Sequence, residues 1–167
     1  MNNLQHTQGG CLAYSSGAWA EGTNAATIKS TATVVFTIDG VFKSKAATDN
    51  IAISFSQSGL YSQDSIAAAG GFVGGANGST RLYGVFLDSA GAVTIVPGKT
   101  CDTVALAAGT ESLQFPAPQR NKACSAVLRI VATSGTTFVP GTTDLGAAGI
   151  TATWLDVSAV PAEPLRA

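Results

Sequence analysis

Few side chains in this sequence are of types that could do chemistry. The single histidine, His6, lies close to the N-terminus, whereas a Ser-His-Asp triad or a histidine-based metal site needs histidine in the folded core, and no G-x-S-x-G motif occurs. A pair of carboxylates could hydrolyse a glycosidic bond. Four aspartates that could contribute to such a pair lie at turn-like positions: Asp39, Asp49, Asp64 and Asp88. Because aspartate at a turn ordinarily hydrogen-bonds its own backbone, we predict no catalytic residue and a protein that is not an enzyme.

Two stretches resemble parts of nucleotide-binding loops. VPGKT (96–100) ends like a phosphate-binding loop, but Val93 stands where that motif needs its first glycine. GGFVGGANGS (70–79) contains no lysine and is not followed by a helical pattern. We therefore predict no cofactor-binding residue.

The cysteine spacing fits neither a zinc site nor a disulfide framework. Cys11, Cys101 and Cys124 are odd in number and form no C-x-x-C pair. We predict free thiols, with a Cys101–Cys124 disulfide as the alternative, and no metal ligand.

Composition excludes several classes of partner. Only 11% of the residues are charged, the net charge is −1 and no basic run occurs, so we predict no binding to nucleic acid. The longest apolar stretch (66–76) is about half the length of a membrane span and is interrupted by glycines. The N-terminus has neither a basic nor an apolar region typical of a secretory signal, so we expect no membrane association. So weakly charged a surface favours an assembled state.

From Thr31 onward the sequence alternates apolar and polar side chains with the period of a β-strand. Val34, Phe36 and Ile38 share one face, and Asp39-Gly40 is a preferred hairpin turn. Further predicted strands are 41–47, 51–56, 81–87, 93–96, 125–134 and 150–155. The run 81–87 is apolar on both faces, which predicts burial on both sides, by a second sheet or by a neighbouring subunit.

Short strands separated by glycine, aspartate and proline indicate an all-β fold. We predict a single β-sandwich, jelly-roll-like or barrel domain over residues 21–158, followed by a C-terminal tail at 159–167. Residues 1–20 show no sustained period and are predicted to form an extended N-terminal arm. Its large apolar residues, Leu12, Tyr14 and Trp19, are the predicted partner contacts. The alternative is that this segment folds back over its own domain.

The stretch TFVPGTTDLGAAGITATW (137–154) predicts a corner between two strands. Pro140 lacks a backbone donor and Gly141 tolerates unusual dihedral angles, so strand pairing must stop there. The chain is then expected to enter another sheet or to cross to a neighbouring subunit. In the second strand we predict a buried Trp154, with Thr151 and Thr153 facing outward.

Three segments together resemble the small capsid decoration (cement) and head-fibre proteins of tailed bacteriophages. They are TATVVFTIDGVFKSKAATDNIAIS (31–54), YGVFLDSAGAVTIVPG (83–98) and FVPGTTDLGAAGITATWLDV (138–157). The resemblance covers roughly residues 31–157, apart from 59–80 and 99–122. It implies a β-rich domain, commonly a homotrimer, without catalytic residues.

The resemblance also implies a function and a location. It leads us to expect a non-enzymatic virion protein, made in the host cytoplasm, that binds the major capsid protein on the capsid exterior and stabilises the shell. The alternative is a tail or head-fibre module that binds a host surface receptor or polysaccharide. The sequence lacks the collagen-like or coiled-coil repeats of a long fibre, which favours decoration.

Overall fold

A computed structural model describes residues 10–53, 71–116 and 118–157. The fold is nearly all β, with 49% strand and 4% helix, which confirms the predicted fold class. Over the described residues the strands are β1 Leu12–Ala13, β2 Trp19–Glu21, β3 Thr27–Ser30, β4 Val34–Ile38, β5 Val41–Lys45, β6 Thr48–Ala52, β7 Phe72–Val73, β8 Ser79–Leu87, β9 Val93–Asp102, β10 Ala123–Ala132, β11 Thr137–Phe138 and β12 Ile150–Asp156. One short helix, α1 (Thr103–Ala107), follows β9.

The described strands form four open antiparallel sheets and no closed barrel. The largest sheet has the order β12-β10-β8-β9, and two three-stranded sheets have the orders β1-β4-β5 and β2-β3-β6. A two-stranded sheet pairs β11 with β7. No helix among the described residues is long and apolar enough to cross a membrane.

The core lies between the sheet β1-β4-β5 and the largest sheet, where β1 and β4 pack against β10. The period-two face predicted for β4 is the one that is buried: Val34, Phe36 and Ile38 all belong to the core. All nine residues of β8 are buried within this single chain. The predicted burial of this strand on both faces therefore needs no neighbouring subunit.

Asp39 and Gly40 form the turn between β4 and β5, as predicted. Both have positive φ angles, 51° and 78°, the combination that a tight two-residue hairpin requires and that Asp-Gly adopts readily. The register pairs Ile38 with Val41 directly across this turn. Asp-Gly therefore fixes which side chains of β5 share a face with the buried residues of β4 and which lie on the outer face of the sheet.

The N-terminal segment is part of the domain. β1 pairs with β4 and β2 pairs with β3, and the core includes Cys11 (0% exposed), Ala13 and Trp19 (7% exposed). The prediction of an extended arm is therefore wrong for residues 10–20, and residues 1–9 lie outside the described part of the chain. The sequence shows no period here because β1 has only two residues and β2 only three.

The C-terminal corner leads from one sheet to another within the chain. β11 lies in the two-stranded sheet, Gly141 has φ 74°, and β12 then pairs with β10 in the largest sheet. Thr151 and Thr153 are exposed, as predicted. Trp154 packs against the core but is only half-buried, so the prediction of a buried tryptophan is wrong. β12 is an edge strand, and its outermost side chains are covered from one side only.

Candidate interaction surface

The outer face of the sheet β1-β4-β5 carries an exposed apolar surface, which we call the aromatic patch: Leu12, Tyr14, Val35 and Phe42. Phe42 is 69% exposed, and Tyr14 and Val35 are each more than one third exposed. The rings of Tyr14 and Phe42 are in contact, with centroids 5.4 Å apart. These side chains face away from the core because neighbouring residues on each strand, such as Ala13 and Phe36, face into it.

Thr37 anchors the aromatic patch from beneath. It is only 3% exposed, and its Oγ1 donates to the carbonyl oxygen of Gly10 at 2.8 Å and accepts from the backbone N–H of Leu12 at 3.3 Å. The hydroxyl of Tyr14 lies 3.5 Å from the same Oγ1. The N-terminal residues of the patch are thus held on the sheet before any partner binds, which lowers the entropy cost of binding.

Ser15 adds a second attachment just beyond the patch. Its Oγ accepts from the backbone N–H of Val35 at 2.8 Å and donates to the carbonyl oxygen of Thr33 at 3.1 Å. The backbone N–H of Tyr14 donates to the carbonyl oxygen of Val35. After β1 has ended, one backbone bond and two bonds of the Ser15 hydroxyl therefore continue to hold this segment against β4.

A pocket of about 200 Å³ lies between the segment 16–19 and the strands β10 and β12. Its lining consists of Ser16, Ala18, Trp19, Ala126, Trp154, Leu155 and Asp156. The indole Nε1 of Trp19 is buried and has no hydrogen-bond partner among the described residues. The pocket thus brings together two indole rings, a hydroxyl and a carboxylate.

The structure separates the three predicted contact residues. Leu12 and Tyr14 lie in the aromatic patch, whereas Trp19 is buried and lines the pocket. Sequence reasoning missed Phe42, the most exposed large apolar residue of the described chain. The sequence contained the signal. Across the two-residue Asp-Gly turn, Phe42 pairs with Thr37, so its side chain lies on the face opposite to that of the buried apolar residues of β4.

Asp39 and Asp88 hold turns, in agreement with the role expected of them, whereas Asp49 lies within strand β6 and not at a turn. Oδ1 of Asp88 accepts from the backbone N–H groups of Ala90 and Ala92. The carboxylate of Asp49 accepts from the hydroxyl and backbone N–H of Thr23, and these bonds lower the pKa of Asp49. Asp39 forms the hairpin turn described above. Asp64 lies outside the described residues, as does His6.

Glu21 and Asp144 form a carboxylate pair that the sequence did not suggest. A hydrogen bond between the two side chains raises the pKa of Glu21 and lowers the pKa of Asp144, so the pair tends to share a proton. No cluster of three or more potential metal ligands occurs among the described residues. The pair by itself offers two carboxylates and no third ligand.

All three cysteines are free thiols, as predicted, and the alternative Cys101–Cys124 disulfide is not formed. Sγ of Cys101 donates to the carbonyl oxygen of Ser112. Burial raises the pKa of the Cys124 thiol to about 12. At neutral pH this thiol is protonated, which makes it a poor nucleophile and a poor metal ligand.

Comparisons of the chain with protein-family models, with curated proteins and with solved structures find no match. The geometry of the aromatic patch and of the pocket must therefore carry any functional conclusion, together with the resemblance of the three sequence segments.

Proposed function

We propose that this chain is a non-enzymatic structural protein of a tailed-bacteriophage virion, which decorates the capsid exterior and binds the major capsid protein, as a homotrimer. Its physical effect would be stabilisation by mass action. A ligand that binds the assembled lattice and not the separate subunits shifts the equilibrium towards the lattice.

The aromatic patch is the observation that supports this proposal most directly. It presents Tyr14 and Phe42 in mutual contact on a rigid sheet, and Phe42 is 69% exposed. Aromatic residues are enriched in protein interfaces and among the residues that dominate binding energy. Because Thr37 and Ser15 hold the segment that carries Tyr14, the patch suits a binding surface that changes little on association.

The pocket favours a second candidate function, a tail or head-fibre module that binds a host surface polysaccharide. Trp154, which is half-buried, offers apolar ring surface, and Ser16 and Asp156 offer polar groups within the same 200 Å³. Such a combination suits a sugar ring, which presents both apolar C–H faces and hydroxyl groups. A volume this small accepts one ring or one side chain rather than a long ligand.

Copy number in purified particles separates the two candidates. Decoration requires a number of copies in proportion to the capsid subunits, whereas a fibre requires only a few per particle. Quantitative mass spectrometry of purified virions measures this ratio. The decoration proposal fails if particles lack the chain, or if particles without it resist heat and chelators as well as particles that carry it.

Point variants test the contribution of the aromatic patch better than truncation does. Deleting residues 1–20 would remove Cys11, Ala13 and Trp19 from the core and thereby unfold the domain. Phe42→Ser keeps the core intact, and Phe115→Ser is a matched control because Phe115 is also exposed (47%) but lies outside the patch. We expect Phe42→Ser alone to lower capsid occupancy, and equal occupancy for both variants would exclude the patch as the contact.

A further inference from the structure

Strand β5 lies at the edge of its sheet in the described part of the chain. Among the described strands it pairs only with β4, and each of its residues from Val41 to Ser44 is exposed. Within the described residues, no strand pairs with the backbone N–H and C=O groups along the outer edge of β5. Such an edge is a template for strand addition unless side chains block it.

The two faces of β5 differ in chemistry. Phe42 points to the aromatic patch, where it contacts Tyr14. Lys43 and Lys45 point to the opposite face, since they pair across the sheet with the buried residues Phe36 and Val34. Neither lysine forms an ion pair within the described chain, and Lys45 donates only to the hydroxyl of Thr48.

The lysines argue against a second copy of β5 as the occupant. Antiparallel pairing of two such strands would bring lysines of both copies to the same face, and like charges in opposing positions destabilise a sheet. Lysine on an edge strand is a known means of preventing such self-pairing. The same two charges attract carboxylates at the positions where a partner strand would place its side chains.

We propose that β5 accepts an extended, acidic segment of a protein partner as an additional strand. The segment alternates apolar side chains, which meet Phe42 on the patch side, with Asp or Glu side chains, which meet Lys43 and Lys45 on the other. This inference rests on the proposed function only for the identity of the partner, because the chemistry of the partner strand follows from β5 itself. It also holds for a partner other than the capsid protein.

The test is an NMR titration of the full chain, labelled with nitrogen-15, with a synthetic heptapeptide of alternating valine and glutamate whose two termini are capped. The control peptide has lysine in place of glutamate. We expect the acidic peptide to shift the backbone amide signals of residues 41–45 and the lysine peptide to leave them unchanged. Because strand addition forms hydrogen bonds along the backbone edge, the largest shifts should be those of the backbone amides of β5.

Charge reversal sharpens the test. In K43E/K45E we expect affinity for the acidic peptide to fall by about tenfold, from the loss of two cross-strand charge pairs, and affinity for the lysine peptide to appear. The matched control, K99E/R120E, changes the net charge equally at exposed positions away from β5 and should bind the acidic peptide like the wild type.

Three results would overturn the proposal: no amide shifts on β5, equal binding of the two peptides, or equal losses in the two double variants. The assay needs no virion. The absence of the chain from particles would therefore end the decoration proposal and leave this inference standing, whereas silent β5 signals would end this inference alone.

Discussion

The hairpin β4–β5 carries two phenylalanines in opposite environments, and replacing each by alanine should have very different costs. Phe36 is 0% exposed and belongs to the core, whereas Phe42 is 69% exposed. Phe→Ala in a core costs about 3–5 kcal/mol, because burial is lost and a cavity remains. Less than a third of Phe42 is covered, so its substitution should cost at most about 1 kcal/mol, mainly from the contact with the Tyr14 ring.

Urea unfolding followed by tryptophan fluorescence measures both costs, since Trp19 and Trp154 lie in or against the core. With a dependence of about 1–3 kcal/mol per molar urea, Phe36→Ala should lower the midpoint by about 1 M or more, and Phe42→Ala by no more than about 0.3–1 M. The reasoning is refuted if Phe42→Ala destabilises by more than 2 kcal/mol, because Phe42 would then support the fold rather than present a binding surface. A Phe36→Ala cost below 1 kcal/mol would equally contradict the packing described here.

Three further predictions concern the rest of the chain. Gly17→Ala should destabilise by about 1–3 kcal/mol, measured by urea unfolding, because an added Cβ would lie 2.5 Å from Nε1 of the buried Trp19; an unchanged midpoint would contradict this. The folded-state pKa of Glu21 is above its unfolded value, so the contribution of Glu21 to stability is present at low pH and lost as pH rises through the folded-state pKa. Glu21→Gln, whose amide can donate to Asp144 at any pH, should raise the urea midpoint at pH 7, and this gain should shrink towards pH 4. A gain that does not depend on pH would refute the shared proton. Cys124, with a pKa of about 12, should resist iodoacetamide at pH 8 in the native protein and react after unfolding, as peptide mapping by mass spectrometry can check; rapid native labelling would disprove its protection.

Local patterns were enough to predict two of the main strands and one turn. The alternation from Val34 to Ile38, the Asp-Gly turn and the long run of β8 all specify structure through nearest neighbours, and all were predicted correctly. The free thiols followed from spacing alone. For β4 and its turn, the deciding interactions join residues within one hairpin.

The N-terminal segment could not be predicted in this way. Its strands have two and three residues, too few to show a period, and the side chain that anchors β1 is Thr37, on a different strand. Trp154 illustrates the same limit, because alternation predicts which face it occupies but not that its strand lies at a sheet edge. Exposure of the aromatic patch depends likewise on sheet order, which no local pattern encodes.

The packing of β4 against β10 has a consequence for biosynthesis. Val34, Phe36 and Ile38 leave the ribosome long before β10, the strand that covers them, has been made. At about 5–20 residues per second, the intervening residues take several seconds to emerge, and the apolar face of the first hairpin is uncovered throughout that time. Folding of this domain is therefore a late event in its synthesis, and its yield in a cell should depend on the chaperones that shield nascent chains.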